Sequence, residues 1–212
     1  MIPELLLGDC LAKYDIRRDG ILHVGAGMLE EADEYDALKF TTVVWVEALP
    51  DTDGARQAIA DKHKHVFVNV ALGREFSEDV PFHVNASINS SSFLELGTHA
   101  KLYPELVEIS TTKLRQVTGE SVLHFYPEAR KCNMLNIDVQ GTECDVAAGF
   151  KAKIGQFDCI LSEVYIDEVY ASCNRLDHLD DRLYSYGFLR MDTWIKPKEG
   201  WGNAFYVKRS LL

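Results

Sequence analysis

No stretch of this 212-residue chain approaches the length of apolar sequence that crosses a bilayer. Nor does the start, Met-Ile-Pro-Glu-Leu-Leu-Leu-Gly-Asp, carry the basic segment or the apolar length of a signal peptide. Positive charge is scarce: 22 Lys and Arg stand against 33 Asp and Glu, a formal net charge of −11. With no basic cluster interleaved with aromatics, neither nucleic acid nor an anionic membrane surface is an expected partner. Paired cysteines are missing as well. Cys10, Cys132, Cys144, Cys159 and Cys173 are odd in number and form no C-x-x-C, so they are expected as reduced, mostly buried thiols rather than a disulfide framework or zinc site. No repeat, low-complexity tract or linker divides the sequence. One soluble, cytoplasmic domain over residues 1–212 is expected, at a length that buries most of its unfolded surface.

What is present is a nucleotide-type turn. Ile21-Leu-His-Val-Gly-Ala-Gly27 reads as a buried strand and glycine turn, and Val43-Val-Trp-Val-Glu47, about twenty residues on, as a second strand ending in a carboxylate. A doubly wound α/β sheet uses that unit to hold a nucleoside beyond the carboxyl ends of its strands. The glycines admit close backbone approach, and Glu47 can accept both ribose hydroxyls. A dinucleotide site wants a third glycine and an uncluttered helix start for its pyrophosphate. Glu30 stands there instead, with Glu31 after it, and two carboxylates in a first helical turn repel a diphosphate. They tolerate S-adenosylmethionine (SAM), which carries a sulfonium and an ammonium and no phosphate. Glu30 and Glu31 read equally well as helix-dipole residues on a solvated face, but the objection to a diphosphate stands either way. SAM is favoured over NAD.

Along the chain, a short helix within the first twenty residues leads through Arg17-Arg-Asp-Gly20 into the first strand. Residues near Leu29 to Leu38 read as the crossover helix, and a helix with Ala55, Ile59 and Ala60 on one face follows the second strand. His65 to Val70 is a third strand ending in Ala71-Leu-Gly73. Val80 to Asn85 alternates like an exposed strand, and Ser87 to Ser92 is a polar loop. Cys132 to Asp138 and Phe157 to Glu163 are apolar runs ending in an acid, and a long helix is expected from roughly Val169 to Tyr186. Phe188 to Ile195 and Asn203 to Lys208, joined by a short Lys-Pro-Lys-Glu-Gly-Trp-Gly link, should pair antiparallel. Strands alternating with helices give an α/β doubly wound sheet. Seven strands with one antiparallel near the C-terminus is the Rossmann-like layout of class I methyltransferases.

These blocks resemble the FkbM-type SAM-dependent methyltransferases over nearly the whole chain, most closely the short bacterial and viral members. The matching stretches are His23-Val-Gly-Ala-Gly27, Val44-Trp-Val-Glu-Ala48, Asn69-Val-Ala-Leu-Gly73, Ser90-Ser-Ser-Phe-Leu94 and Leu135-Asn-Ile-Asp-Val-Gln-Gly-Thr-Glu143, with Leu161-Ser-Glu-Val164 and Trp201-Gly-Asn-Ala-Phe-Tyr206 in the expected places. The chain departs from the family at Gly27, often histidine; at Leu29, usually a small residue; at Arg115, commonly aspartate; and at Asn203, more often aspartate.

The resemblance implies a methyl transfer that leaves S-adenosylhomocysteine (SAH), most readily to oxygen of a small molecule or carbohydrate. It implies a cofactor wall of His23, Gly25, Ala26, Gly27, Glu47, Ala48, Ala71, Ser91, Asp138 and Gln140. Asp138 would lie near the methionine end of SAM and the acceptor, with Asp138 or Glu163 as proton acceptor. Each has a plainer reading beside it: His23 as a satisfied core histidine, Glu163 as a structural bond, Glu143 as a carboxylate meeting a helix dipole. His83, His99 and His124 are spare candidates for a base. His63 and His65 fall on one face of a strand but show no carboxylate company, so no metal is read there. An NAD-linked oxidoreductase and a non-catalytic SAM-binding relative, the latter prompted by Leu29, are the alternatives. Acceptor, oligomeric state and any divalent-metal requirement are not specified by the sequence.

Overall fold

The computed structural model describes residues 6–51 and 53–212; the Met1–Leu5 start read above lies outside the described residues. Ten strands and seven α-helices are named in chain order among the described residues. The main sheet contains β1 (Ile21–Val24), β2 (Val43–Glu47), β3 (Val66–Asn69), β7 (Met134–Ile137), β8 (Cys159–Tyr165), β9 (Phe188–Ile195) and β10 (Trp201–Lys208). Its order is β3-β2-β1-β7-β8-β10-β9, and β10 runs antiparallel to both of its neighbours. The expected seven-stranded α/β sheet is therefore the one found. Every residue of β1, β2 and β7 is buried, which is why these strands read as mainly apolar runs.

Side-chain alternation sends those strands' residues into two cores. Leu22, Val24, Val44, Val46, Leu135 and Ile137 meet α5 (Gly119–Phe125), α6 (Glu143–Gly149) and α7 (Leu176–Ser185) on one face. Ile21, Val43, Trp45 and Met134 meet α1 (Leu7–Lys13), α2 (Ala32–Ala37) and α3 (Ala55–His63) on the other. Trp45 is fully buried and stacks on Tyr35 at 4.9 Å and 14°, a pairing that adds about 1 kcal/mol to its area burial. All five cysteines are buried free thiols. No described helix is long and apolar enough to cross a membrane.

A second sheet, absent from the sequence expectation, covers the carboxyl side of the first. It joins β4 (Ala71–Gly73), β5 (Ser77–Asn85) and β6 (Glu108–Thr118) in the order β4-β6-β5. Ala71-Leu-Gly73 therefore does not extend the third strand: β3 ends at Asn69, and Leu72 pairs with Val117 of β6 instead. Between β5 and β6 lies a short helix, α4 (His99–Leu102).

Three boundaries also move. The crossover helix starts at Ala32, not near Leu29, because Leu29 holds φ +61 and no helix propagates through that conformation. β8 continues two residues past Glu163 to Tyr165, held by the pairs Val164–Gly202 and Tyr165–Trp201. The helix expected from Val169 begins at Leu176. Val169, Tyr170 and Cys173 are buried because the loop packs on Leu94, Leu96 and Tyr165, so their spacing reflects a satellite core rather than a helix face.

His63 and His65 do not share a strand either. His63 closes α3, and Lys64 at φ +60 turns the chain before His65. A carboxylate does accompany them: Asp36 lies 2.6 Å from His63 Nδ1 and 3.1 Å from His65 Nε2. Trp45 Nε1 donates to His65 Nδ1, and the group ties α2 to α3 and β3.

Candidate functional site

The site forms where β1, β2 and β7 end side by side. Gly25 (φ +86) and Gly27 (φ +52) make the turn after β1. A Cβ on Gly25 would collide with the Asp138 carbonyl at the end of β7, so only glycine lets the two strand ends close together. Gly25 and Ala26 both donate N–H to the Val46 carbonyl of β2. Next to them, Glu47 Oε2 accepts the Gly27 N–H at 3.0 Å and Oε1 the Leu49 N–H at 2.8 Å. Each of these oxygens keeps a second lone pair, so the carboxylate is fixed in place with two acceptor positions to spare. Burial raises the Glu47 pKa, while the Leu49 amide, the Arg56 charge and the Gly27 amide work to keep it ionised.

A cavity of about 240 Å³ opens beside this carboxylate. Gly25, Ala26, Gly27, Glu47 and Ala48 form one wall. Val70, Leu72, Phe82 and Phe93 form an apolar wall, the two phenylalanines meeting edge to face at 5.0 Å. Ile88, Asn89 and Ser91 close the mouth, and Asp138, Val139 and Gln140 form the far end. Ser90, Ser91 and Ser92 are buried rather than a solvated loop. Ser91 Oγ accepts the Asn85 N–H, and Ser92 Oγ donates to the Gln140 carbonyl at 2.6 Å.

Among the described residues the wall carries Glu30, Glu31, Glu47 and Asp138 and no Lys, Arg or His. Glu30 and Glu31 lie in the turn before α2 rather than in its first turn. Glu30 accepts the Met28 N–H and the Asn89 amide, and burial raises the Glu31 pKa. A cavity of this sign attracts a cation and repels phosphate. Leu29 turns away into the core beside Tyr35, 2% exposed, and takes no part in the wall.

At the far end, Gln140 (φ +60) acts as a clip. Its Nε2 donates to Asp138 Oδ1 and, at 2.9 Å, to Glu163 Oε2, while its Oε1 accepts the Tyr170 hydroxyl at 2.5 Å. Two carboxyls from neighbouring strands are thus held by one amide. Burial raises both pKa values, and for Glu163 the negative charges of Asp138 and Glu143 push further in the same direction. Tyr165 also donates to Glu163. Asp138 lines the cavity; Glu163 stands behind Gln140, away from the wall.

Two other expected residues lie off the wall. His23 is 3% exposed, its Nδ1 3.0 Å from the Tyr35 hydroxyl and its Nε2 3.4 Å from Asn136 Nδ2. Burial lowers its pKa to about 4, which makes it a neutral core histidine. Ala71 is buried in β4, and its neighbours Val70 and Leu72 face the cavity instead. His83 pairs with Glu108, His99 meets Tyr103 and Tyr170 edge to face, and His124 meets Phe125 edge to face. None of the three, nor Arg115 or Asn203, is part of the wall.

The sequence reading missed Phe82, Phe93, Asn89 and Arg56. The alternation of Val80 to Asn85 carried a signal for Phe82, since one face of that strand had to be covered. Arg56 shares a helix face with Ala60, four residues on, and both are buried.

A family model described as the Methyltransferase FkbM domain matches residues 23–190. No curated protein matches the sequence. Among solved structures, the chain is similar to a putative sarcosine dimethylglycine methyltransferase from Galdieria sulphuraria, with 10% identity and TM-score 0.54, covering 95% of this chain and 83% of that one. It is also similar to a protein in the NADB-Rossmann superfamily from Streptococcus agalactiae, with 10% identity and TM-score 0.52, covering 97% and 70%. A third is magnesium protoporphyrin IX methyltransferase from Synechocystis PCC 6803 with bound SAH, at 10% identity and TM-score 0.51, covering 95% and 80%. At such identities the likeness is one of fold.

Proposed function

The chain belongs to the FkbM methyltransferase family, and from that premise we propose that it is a single-domain SAM-dependent methyltransferase acting on a hydroxyl of a small molecule or sugar. The observation that carries this reading is Glu47, fixed by the Gly27 and Leu49 amides on the wall of an acidic cavity with two acceptor positions to spare. A ribose diol needs that pair of acceptors, and a sulfonium and ammonium suit that sign of charge. The open Gly25–Gly27 backbone and the apolar wall of Leu72, Phe82 and Phe93 suit the rest of a nucleoside.

When bound, SAM supplies an electrophilic methyl group on a positively charged sulfur. Glu47 and the glycine turn would hold and orient the nucleoside, and alignment of the reacting groups accounts for much of the rate in a displacement of this kind. Asp138 faces the cavity and would take the proton of the acceptor's hydroxyl. Its raised pKa makes it a better proton acceptor than a solvent-exposed aspartate. Glu163 acts through Gln140 and Asp138 and does not touch the acceptor. The acidic wall with Glu30 and Glu31 argues against a phosphate-bearing acceptor, nucleic acid included. Five buried free thiols are consistent with a cytoplasmic setting.

Calorimetric titration with SAM and SAH tests the reading. Micromolar binding to the wild type that is lost in Glu47→Ala is the expected result. No binding of either ligand by well-folded wild-type protein overturns it, and NADH binding in their place points to an oxidoreductase. Binding without turnover over a broad acceptor panel identifies a non-catalytic relative.

A further inference from the structure

Arg56 is buried at 3% exposure, and a guanidinium cannot shed its charge to ease that burial. Its Nε donates to the Gly27 carbonyl at 2.7 Å, and its Nη1 to the Leu49 and Pro50 carbonyls at 3.4 and 3.3 Å. Gly27 and Leu49 are also the two residues whose N–H groups hold Glu47. The carboxylate therefore grips the amide side of both residues and the guanidinium grips the carbonyl side. Asn69 Nδ2 adds bonds to the Glu47 and Leu49 carbonyls at 2.7 and 2.8 Å. Asp51 anchors the start of α3 by accepting the Arg56 and Gln57 amides.

We propose that Arg56 is a positioning residue for nucleoside recognition, holding Glu47 aimed and ionised toward the cavity through the backbone of Gly27 and Leu49. It rests on the SAM reading above. Among the described residues, the other titratable groups on the cavity wall are acidic, Glu30 and Glu31 from the turn before α2 and Asp138 from just past β7, as is Asp51, which anchors α3. Arg56 is the cation that bears on Glu47, and it opposes the effect of burial. A purely structural arginine would also fasten α3 to the turn, but removing it would not move the ionisation of Glu47.

The test is titration of SAH into wild type, Arg56→Met, Arg56→Lys, Glu47→Gln and the Glu47→Gln/Arg56→Met double variant, between pH 5 and 8, with circular dichroism confirming each fold. Wild-type affinity should fall toward low pH as Glu47 takes up a proton. Arg56→Met should bind about tenfold more weakly at neutral pH, with its fall-off moved to higher pH, because the unopposed burial raises the Glu47 pKa further. Arg56→Lys keeps the charge and should hold the wild-type pH profile while losing about threefold in affinity, since an ammonium cannot span both carbonyls. In the Glu47→Gln background the Arg56→Met change should shift no pH profile. Wild-type affinity in Arg56→Met, or weakened binding with an unmoved profile, overturns the proposal. Should Arg56→Met fail to fold, undiminished binding by Arg56→Lys overturns it. Absence of SAH binding by folded wild type instead refutes the SAM reading, and this proposal falls with it.

Discussion

Glu143 should make the protein less stable as pH rises, and Glu143→Gln should remove that loss. The residue opens α6 at 2% exposure, and its Oε1 accepts the Gly141 N–H at 3.0 Å and the Val139 N–H at 3.3 Å. These bonds close the turn in which Gln140 and Gly141 adopt φ +60 and +109. Two effects favour the carboxylate: those amides, and the helix N-terminus, worth about 0.5–1 kcal/mol. Burial outweighs them and carries the pKa from 4.5 to about 8. Below pH 4.5 folded and unfolded chains both hold the proton, and the residue's stabilising contribution is complete. Between the two values only the folded state holds it, so stability declines with rising pH and levels off above about 8. That interval, at about 1.4 kcal/mol per pH unit, comes to about 5 kcal/mol at most. Glutamine keeps the accepting oxygen and has no proton to lose. Urea unfolding of both proteins at pH 5, 7 and 9 reads the difference directly. With slopes of about 2–3 kcal/mol per molar, even 3 kcal/mol moves the midpoint by roughly 1 M. Asp138 and Glu163 titrate in both proteins, so their contributions largely cancel, although losing the Glu143 charge also eases ionisation of Glu163. A stability difference that stays constant from pH 5 to 9 would refute the reasoning.

Two further substitutions separate the site from its support. Asp138→Asn should lower the methylation rate on an accepted substrate by about 100-fold or more, with a smaller loss of SAH affinity, whereas Glu163→Gln should lower the rate by about tenfold or less. Single-turnover rates for the two variants decide this, and the reverse order would make Glu163 the proton acceptor. Tyr35→Phe strips a hydroxyl that lies 3.0 Å from both His23 Nδ1 and Asn136 Nδ2. Leaving those buried groups unpaired should cost about 1–3 kcal/mol in urea unfolding with SAH binding unchanged; an unmoved midpoint would mean the trio contributes nothing to stability.

The main sheet was legible because burial on both faces writes itself into composition. β1, β2 and β7 are apolar but for one buried polar residue each, His23, Glu47 and Asn136, and the carboxylate at the end of β2 and the aspartate just past β7 fall where the apolar runs stop. The short link between β9 and β10 gave their antiparallel pairing for a similarly local reason. β6 left no such trace. Most of its eleven residues are exposed or half-buried, and its partners lie more than twenty residues away in β5 and more than forty in β4. Where apolar spacing had another cause the reading went astray: Val169, Tyr170 and Cys173 fill a small core with Leu94 and Leu96 and no helix is involved. Leu29 broke the crossover helix through a backbone angle, which side-chain pattern does not encode.

The site divides along the same line. Residues that meet the cavity through backbone or a strand end, such as Gly25, Gly27, Glu47 and Asp138, were found because their place in the chain fixes their place in space. His23 and Glu163 failed to reach the wall for a common reason. A strand alternates its faces, and the direction of each side chain is set by what packs beside the sheet: Tyr35 and Asn136 receive His23, and Gln140 and Tyr165 receive Glu163. Arg56 is the converse case. A lone arginine on an otherwise apolar helix face looks like an exposed charge, until the turn it caps comes within 2.7 Å from a strand some thirty residues earlier. Its burial is intelligible only once the Gly27, Leu49 and Pro50 carbonyls are seen as its acceptors. Gly27 and Leu49 each give their N–H to the carboxylate and their C=O to the guanidinium, so the peptide units on both sides of each residue are held by one charged group or the other. Glu47 and Arg56 are in that sense one device, and losing either should loosen the two residues that the other still holds.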